Sequence, residues 1–371
     1  MQSLRSSMQY SSWSLVVRRW ATLLLHIALG IIVLGACVTH FFGKQGEVHL
    51  RADKAETVAG ITLFLWDFRV IYDGDNPVDY VTELRLLDRG TGEGQGAAAN
   101  GQISVDEGTV RMNKPLKYHG RRFCQSDYDS DQRGVVLAYN HDPWGIGITY
   151  TGYALLLIAM IAFFFQRRTY FRALLKKITS NSNGSCGLTA QRSNRLVKAG
   201  LTALAVIVII LSAIMTIVVT PKPPLQPVLQ TPLLGIHVSV IMLAYTLFAI
   251  IAILGTVGLC CKKMSIFNYQ LSTILLYPAL FCLTEGIFIG AVWANMSWGR
   301  YWGWDPKETW ALITMLVYAL LLHWPLMTRK MKREKSIIWY HVLCVVAFFF
   351  VLFTYFGVTY LLGGLHSYQT A

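Results

Sequence analysis

Apolar residues fall into seven long runs, at approximately 20–43, 146–166, 199–219, 233–259, 270–295, 307–328 and 338–362. Each reaches the roughly 20 residues a helix needs to cross a bilayer. Residues 44–143, between the first two runs, follow another pattern. Short alternating or β-branched stretches such as Val48–Arg51, Val81–Leu87 and Gly134–Tyr139 are separated by Gly, Asp and Asn, as in strands joined by turns. Arg89–Gly101, rich in Gly and Ala, reads as a mobile hairpin tip, and the polar stretch 179–194 as a linker between two membrane halves. The pattern predicts an all-α polytopic membrane protein with about seven transmembrane helices and a small β-rich extracytoplasmic domain between helices 1 and 2.

The composition agrees, since 54% of the residues are hydrophobic against roughly 45–50% in a soluble domain. A net charge of +13 raises the question of nucleic acid, and the distribution of that charge answers it. With the N-terminus inside, the inner segments carry 3 basic residues (Arg5, Arg18, Arg19), then 8 (167–198), 2 (Lys262, Lys263) and 5 (329–335), against one carboxylate, Glu334. Residues 44–143 carry 12 basic and 16 acidic residues, net −4. The excess of Lys and Arg in short loops sets the N-terminus inside and the C-terminus outside, and gives no support for nucleic-acid binding. The apolar run after Arg18-Arg19 exceeds a signal-peptide core and no Ala-x-Ala site follows, so it reads as a retained helix. The seven cysteines are scattered, with Cys124 alone in the outer segment, which implies no disulfide framework there. No Cys-x-x-Cys-His occurs, so the chain is not itself a c-type cytochrome.

The densest chemical signal is Trp293-Ala-Asn-Met-Ser-Trp298-Gly-Arg-Tyr-Trp302-Gly-Trp304-Asp305-Pro-Lys-Glu308-Thr-Trp310, between the fifth and sixth runs. An interfacial aromatic belt explains tryptophans, but not the glycines between them. Gly299 and Gly303 suggest that something flat approaches the backbone. A porphyrin stacks on indoles, and Arg300 and Lys307 are candidate partners for its propionates. Asp305-Pro306-Lys307-Glu308 reads as a helix start, with Asp at the N-cap, Pro at N1 and Glu at N3, so Asp305 and Glu308 hold the loop in shape rather than act as acid or base.

The string from Trp298 to Trp310 resembles the tryptophan-rich WWD motif of haem-handling membrane proteins. Its Pro-Lys-Glu-Thr-Trp ending is similar to the CcsA (ResC) branch, the cytochrome c synthases of system II, and the likeness covers residues 197–371. Asn113-Lys-Pro-Leu-Lys-Tyr118-His-Gly120, Gln125, and Asp142-Pro143 leading into Tyr150-x-Gly152 are similar to the partner protein CcsB (ResB). The chain thus resembles a shortened CcsB–CcsA fusion, with a CcsB-like half at 1–178, a cytoplasmic linker at 179–197 and a CcsA-like domain at 198–371 whose WWD loop spans 293–310. It departs from the family at Glu285, where an apolar residue is common, and at Thr359, where an Asn is common.

Two histidine pairs stand out. His26 lies seven residues from Arg19 and His323 six from Arg329, each about 9–10 Å in from the inner face at 1.5 Å per residue. Imidazoles at one level on different helices could clamp a haem iron, and the resemblance points the same way; His341, at a similar depth, competes. His237 and His366 fall at the outer face on either side of the tryptophan loop, and resemble the two outer haem ligands of the family. His40 reads as interfacial, and His49, His119 and His141 as surface residues.

The resemblance implies that haem b, taken from the inner leaflet by His26 and His323, passes to an outer site. There His237 and His366 bind the iron, and Trp298, Trp302 and Trp304 with Arg300, Tyr301 and Asp305 frame the ring. It also implies a holocytochrome c synthase of the bacterial cytoplasmic membrane, with apocytochrome c (Cys-x-x-Cys-His) and a thioredoxin-like thiol reductant as partners. A haem exporter or chaperone that makes no covalent bond is the alternative.

Overall fold

The computed structural model describes residues 20–52, 54–58, 60–88, 104–166, 169–180, 206, 209–210, 213–214, 217 and 227–362. Among them, five helical stretches are long and apolar enough to cross a membrane: Trp20–Phe42, Gly145–Lys176, Pro232–Cys260, Ser265–Ser297 and Arg333–Leu361. This is a multi-pass membrane protein. Its helices are α1 (Trp20–Phe42), α2 (Gly145–Phe165), α3 (Tyr170–Ser180), α4 (Pro232–Cys260), α5 (Ser265–Ser297), α6 (Pro306–Leu322), α7 (Trp324–Met327) and α8 (Arg333–Leu352), the last running through a π turn, Phe353–Gly357, into α9 (Val358–Leu361). The expected span at 199–219 lies outside the described residues except at six helical positions, and the expected linker lies almost wholly outside them.

One expected span, 307–328, is broken. α6 ends at Leu322 and the short α7 follows after His323. Pro325 is the cause: it has no N–H for the carbonyl of Leu321, and its ring clashes with that carbonyl. The break leaves His323 at a helix end.

The segment between α1 and α2 is a β sandwich. Strands β1 (Lys44–Arg51), β2 (Ala55–Val58), β3 (Ile61–Asp73), β4 (Asn76–Asp88), β5 (Ser104–Arg111), β6 (Leu116–Tyr118), β7 (Arg121–Tyr128) and β8 (Gly134–His141) form two antiparallel sheets, ordered β1-β8-β7-β6 and β2-β3-β4-β5. The three stretches expected as strands lie in β1, β4 and β8. Alternation points Leu50, Leu63, Leu84, Phe123 and Leu137 into one core shared by both sheets, and each such burial contributes about 1.5–3 kcal/mol. The expected mobile hairpin tip falls in 89–103, outside the described residues, between strands paired at Asp88 and Ser104.

α1 and α2 pack backbone to backbone. A Cβ at Gly35 would stand 2.3 Å from Thr149 Oγ1, and one at Gly152 would stand 2.6 Å from Ile32 Cγ1, the small-residue packing common between membrane helices. α4, α5, α6 and α8 share the larger apolar core, where Phe248 stacks on Tyr318 at 3.7 Å. The β domain and the loop from Trp298 to Asp305 lie at one end of this bundle, here termed the β side. The residues that close α4 and α6 lie at the far side.

Candidate functional site

The tryptophan loop is clamped by the β domain. Ser297 donates to Asn113 Oδ1 at 2.6 Å, Asn295 Nδ2 to the Tyr150 hydroxyl at 2.6 Å, and Asn140 Nδ2 to the Gly299 carbonyl at 2.5 Å. Tyr301 is buried, and its hydroxyl donates to Thr39 Oγ1 at 2.7 Å. Thr39 in turn donates to Asp142 Oδ2 at 2.6 Å, and the other oxygen of Asp142 accepts the Gly145 N–H at 2.7 Å. One relay therefore ties the loop to the end of α1, the end of the β domain and the start of α2. Satisfied polar groups at such depth fix geometry, because any break leaves a buried donor or acceptor without a partner.

Both loop glycines have close neighbours within the protein itself. Gly299 adopts φ +74°, and a Cβ there would stand 3.1 Å from Cys124 Sγ, so it is the β domain that approaches. At Gly303 the close neighbour is Arg300, whose Nε would be 3.1 Å from a Cβ. Burial pushes the Cys124 thiol up to about 11, so at pH 8 only about one molecule in a thousand carries the reactive thiolate. Iodoacetamide at pH 8, followed by peptide mass spectrometry, is expected to leave Cys124 unmodified until the protein is denatured. A native-state adduct would contradict the docking of loop on sandwich.

The helix start is built as the sequence predicts. Asp305 Oδ1 accepts the Lys307 N–H at 2.9 Å, and Glu308 Oε2 accepts the N–H groups of Gly303 at 2.8 Å and Asp305 at 3.2 Å, a reciprocal capping box. Glu308 thus grips the backbone on both sides of Trp304, which is held at φ +56° with its side chain 70% exposed. A left-handed tryptophan costs energy, and here the cap maintains an indole presented outward. Trp302 is half-buried and meets Trp304 edge-on at 5.9 Å, and Trp298 meets the buried Trp293 at 4.8 Å. Lys307 Nζ reaches Thr359 Oγ1 at 3.4 Å, which gives the departure at Thr359 a structural partner.

The histidines separate by environment. His26 of α1 and His323 at the α6 break come together, with ring centroids 6.3 Å apart and planes at 82°. Two imidazoles on opposite sides of one metal, each with a metal–nitrogen bond of about 2 Å, have ring centres roughly 6 Å apart. In each ring Nδ1 meets the carbonyl four residues earlier, Thr22 at 2.7 Å and Ala319 at 2.8 Å. With Nδ1–H donating, Nε2 is left as the ligand atom, the arrangement that usually orients metal-binding histidines. The ring separation matches that distance.

His341 is fully buried, with Nε2 3.0 Å from the Ser265 carbonyl and the ring lying on Gly258, where a Cβ would be 2.5 Å from Nε2. It packs α4, α5 and α8 together and does not join the pair. On the β side His237 is half-buried beneath the loop region, Nδ1 2.7 Å from the Gly286 carbonyl, and its ring lies flat on Gly290, where a Cβ would be 2.6 Å from Cε1. His366 lies outside the described residues. His40 is exposed at the end of α1, His49 pairs with Asp129, His119 occupies the β6–β7 turn at φ +44°, and His141 meets the Gly120 carbonyl.

A bundle of membrane helices with a histidine pair near one end, and a tryptophan loop clamped by a β sandwich at the other, defines a polytopic membrane protein with an extramembrane β domain. The chain belongs to the cytochrome c assembly protein family, whose pattern it matches over residues 154–366. Residues 16–142 match the ResB-like family, so the whole has the make-up of a CcsBA-type fusion. It is 40% identical over 156 residues to protein NrfI of Wolinella succinogenes, covering 39% of this chain and 17% of that one. It is 41% identical over 159 residues to cytochrome c biogenesis protein CcsA of Chlamydomonas reinhardtii, covering 39% and 43%, and 52% identical over 86 residues to CcsA of Prochlorococcus marinus (strain NATL1A), covering 23% and 26%. These similarities span less than half the length of each relative. A role in cytochrome c biogenesis follows from the family.

Proposed function

We propose that the protein moves its substrate, haem b, across the membrane and joins it to apocytochrome c as a holocytochrome c synthase. His26 and His323 receive haem at the far side, which the excess of Lys and Arg in the loops makes the cytoplasmic side of a bacterial inner membrane. His237 and His366 ligate the iron on the β side, the extracytoplasmic one. Trp298, Trp302 and Trp304 with Tyr301 supply the walls, Arg300 faces the propionates, and Asp305 holds the loop in register. The substrate's own Cys-x-x-Cys-His thiols add across the two vinyl groups. In each addition an S–H bond and a C=C π bond are lost, and a C–S and a C–H bond are gained, with no net redox change. The chain's contribution is positioning, so no acid or base is assigned. The thiols must arrive reduced, which assigns a thioredoxin-like reductant as a further partner. The CcsB-like half is 1–178, the linker 179–197 and the CcsA-like domain 198–371.

The observation that carries this reading is the His26–His323 separation of 6.3 Å with both Nδ1 atoms already engaged. Co-expression with an apocytochrome in cells lacking other maturation genes tests it. Covalent haem in the cytochrome, detected by haem staining after denaturing electrophoresis, is the expected result. A haem-loaded protein that yields no covalent product would reduce the function to export, and a colourless protein would end the reading.

A further inference from the structure

α5 is largely buried, yet a half-exposed stripe runs along it through Leu275, Pro278, Cys282, Glu285 and Val292. Glu285 is the ionisable member. Its Oε1 is shut off from solvent and has no hydrogen-bond partner among the described residues. A carboxyl at this depth is costly and ordinarily marks a pathway. Its neighbours on the same helix face, Phe281 four residues before and Phe288 three after, pack in the cluster that contains Leu25, Leu29 and Leu322, the residues flanking His26 and preceding His323. In the other direction Gly286 supplies the carbonyl that meets His237, and Gly290 supports the His237 ring. At 1.5 Å per residue, Glu285 stands about 6 Å beyond Phe281 and about 1.5 Å short of Gly286, whose carbonyl meets His237. It therefore lies at the far-side edge of the β-side histidine's level.

We propose that Glu285 is a binding residue for a haem propionate in transit between the two histidine sites. This rests on the function proposed above. A propionate entering this stripe loses its water and needs a donor, which the flanking rings of Phe281 and Phe288 do not offer. Glu285 in its acid form donates one O–H to the propionate oxygen, a short charge-assisted hydrogen bond, and no covalent bond changes. The transfer is thus split into two shorter moves with a held position between them.

The test uses the full-length protein from haem-replete cells, with Glu285→Gln, which keeps an N–H donor, and Glu285→Leu, which keeps none. Glu285→Leu is expected to retain haem that is lost on adding His323→Ala, with a roughly ten-fold or greater fall in haem at the β-side site and in covalent cytochrome. Glu285→Gln is expected to stay near wild type. Loading the purified proteins with haem dimethyl ester supplies a second arm, the one relied on should Glu285→Leu accumulate poorly. There the wild type and Glu285→Gln are expected to lose their advantage over Glu285→Ala, a smaller variant that also lacks a donor, because the ester offers no propionate charge. Wild-type transfer in Glu285→Leu, or an equal defect with haem and with its ester, overturns the inference while leaving the histidine assignment standing. Histidine variants that leave haem content and position unchanged overturn both.

Discussion

A His323→Ala protein purified from haem-replete cells is expected to lose the far-side share of its bound haem and at least about ten-fold of its holocytochrome output, with added imidazole restoring both. The magnitude has a physical floor. Removing a group that merely orients a metal ligand costs roughly 10–100-fold in affinity, and this change removes the ligand itself. Imidazole rescue is expected because Pro325 ends α6 at Leu322 whatever residue stands at 323, so the vacated position keeps its shape. His26→Ala should behave alike, since the two rings lie 6.3 Å apart and are proposed to hold the same iron. His341→Ala should not: its imidazole is fully buried against Gly258 and Ser265, so its loss opens a packing defect and lowers thermal stability while the absorption spectrum keeps its shape. A wild-type Soret band in His323→Ala would remove the far-side pair as a haem site.

Gly290→Val is expected to cost haem at the β-side site although it leaves the proposed ligand His237 in place. The His237 ring lies on the Gly290 backbone, and a Cβ there would be 2.6 Å from Cε1 and 2.7 Å from Nδ1. The ring must swing away, breaking its contact with the Gly286 carbonyl at about 1 kcal/mol, on top of roughly 1–3 kcal/mol of overpacking. If the whole of this cost of about 2–4 kcal/mol falls on the haem-competent position of the ring, the loss in β-side haem and in covalent cytochrome is about thirty-fold to nearly a thousand-fold, read by spectroscopy and haem staining. Gly286→Ala is the control. Its Cβ would press on Ile241 Cδ1 at 2.5 Å, the mobile end of a side chain, while the carbonyl that meets His237 stays in place. Comparable losses in both variants would mean that helix packing, and not the aim of His237, is being measured.

The chain's own pattern determined a good deal. Apolar run length marked the five helices that are long enough to cross a membrane among the described residues, because a bilayer demands about 20 apolar residues per crossing, while the run at 307–328 is broken in the fold. Alternation around Val48, Val81 and Gly134 marked strands, because successive strand residues face opposite sides of a sheet. Asp305, Pro306 and Glu308 announced a capping box that the fold carries out bond for bond, since capping depends only on neighbours. Counting residues from Arg19 and Arg329 suggested one depth for His26 and His323, but the count assumed a continuous helix where the chain breaks after Leu322. The break at His323 could also have been read from Pro325.

Tertiary structure alone decided the lateral arrangement, since spacing gives depth along a helix but not which helices meet. It made His26 and His323 neighbours and gave His341, at similar depth, a packing role. It also supplied one reason for Gly299, which is room for Cys124 and Asn140 of the sandwich. Thr39 and Asn140 carried no signal in the sequence. Each acquires its role from a partner more than 150 residues away, Thr39 through Tyr301 and Asn140 through Gly299, and no local propensity encodes a hydrogen bond across that distance.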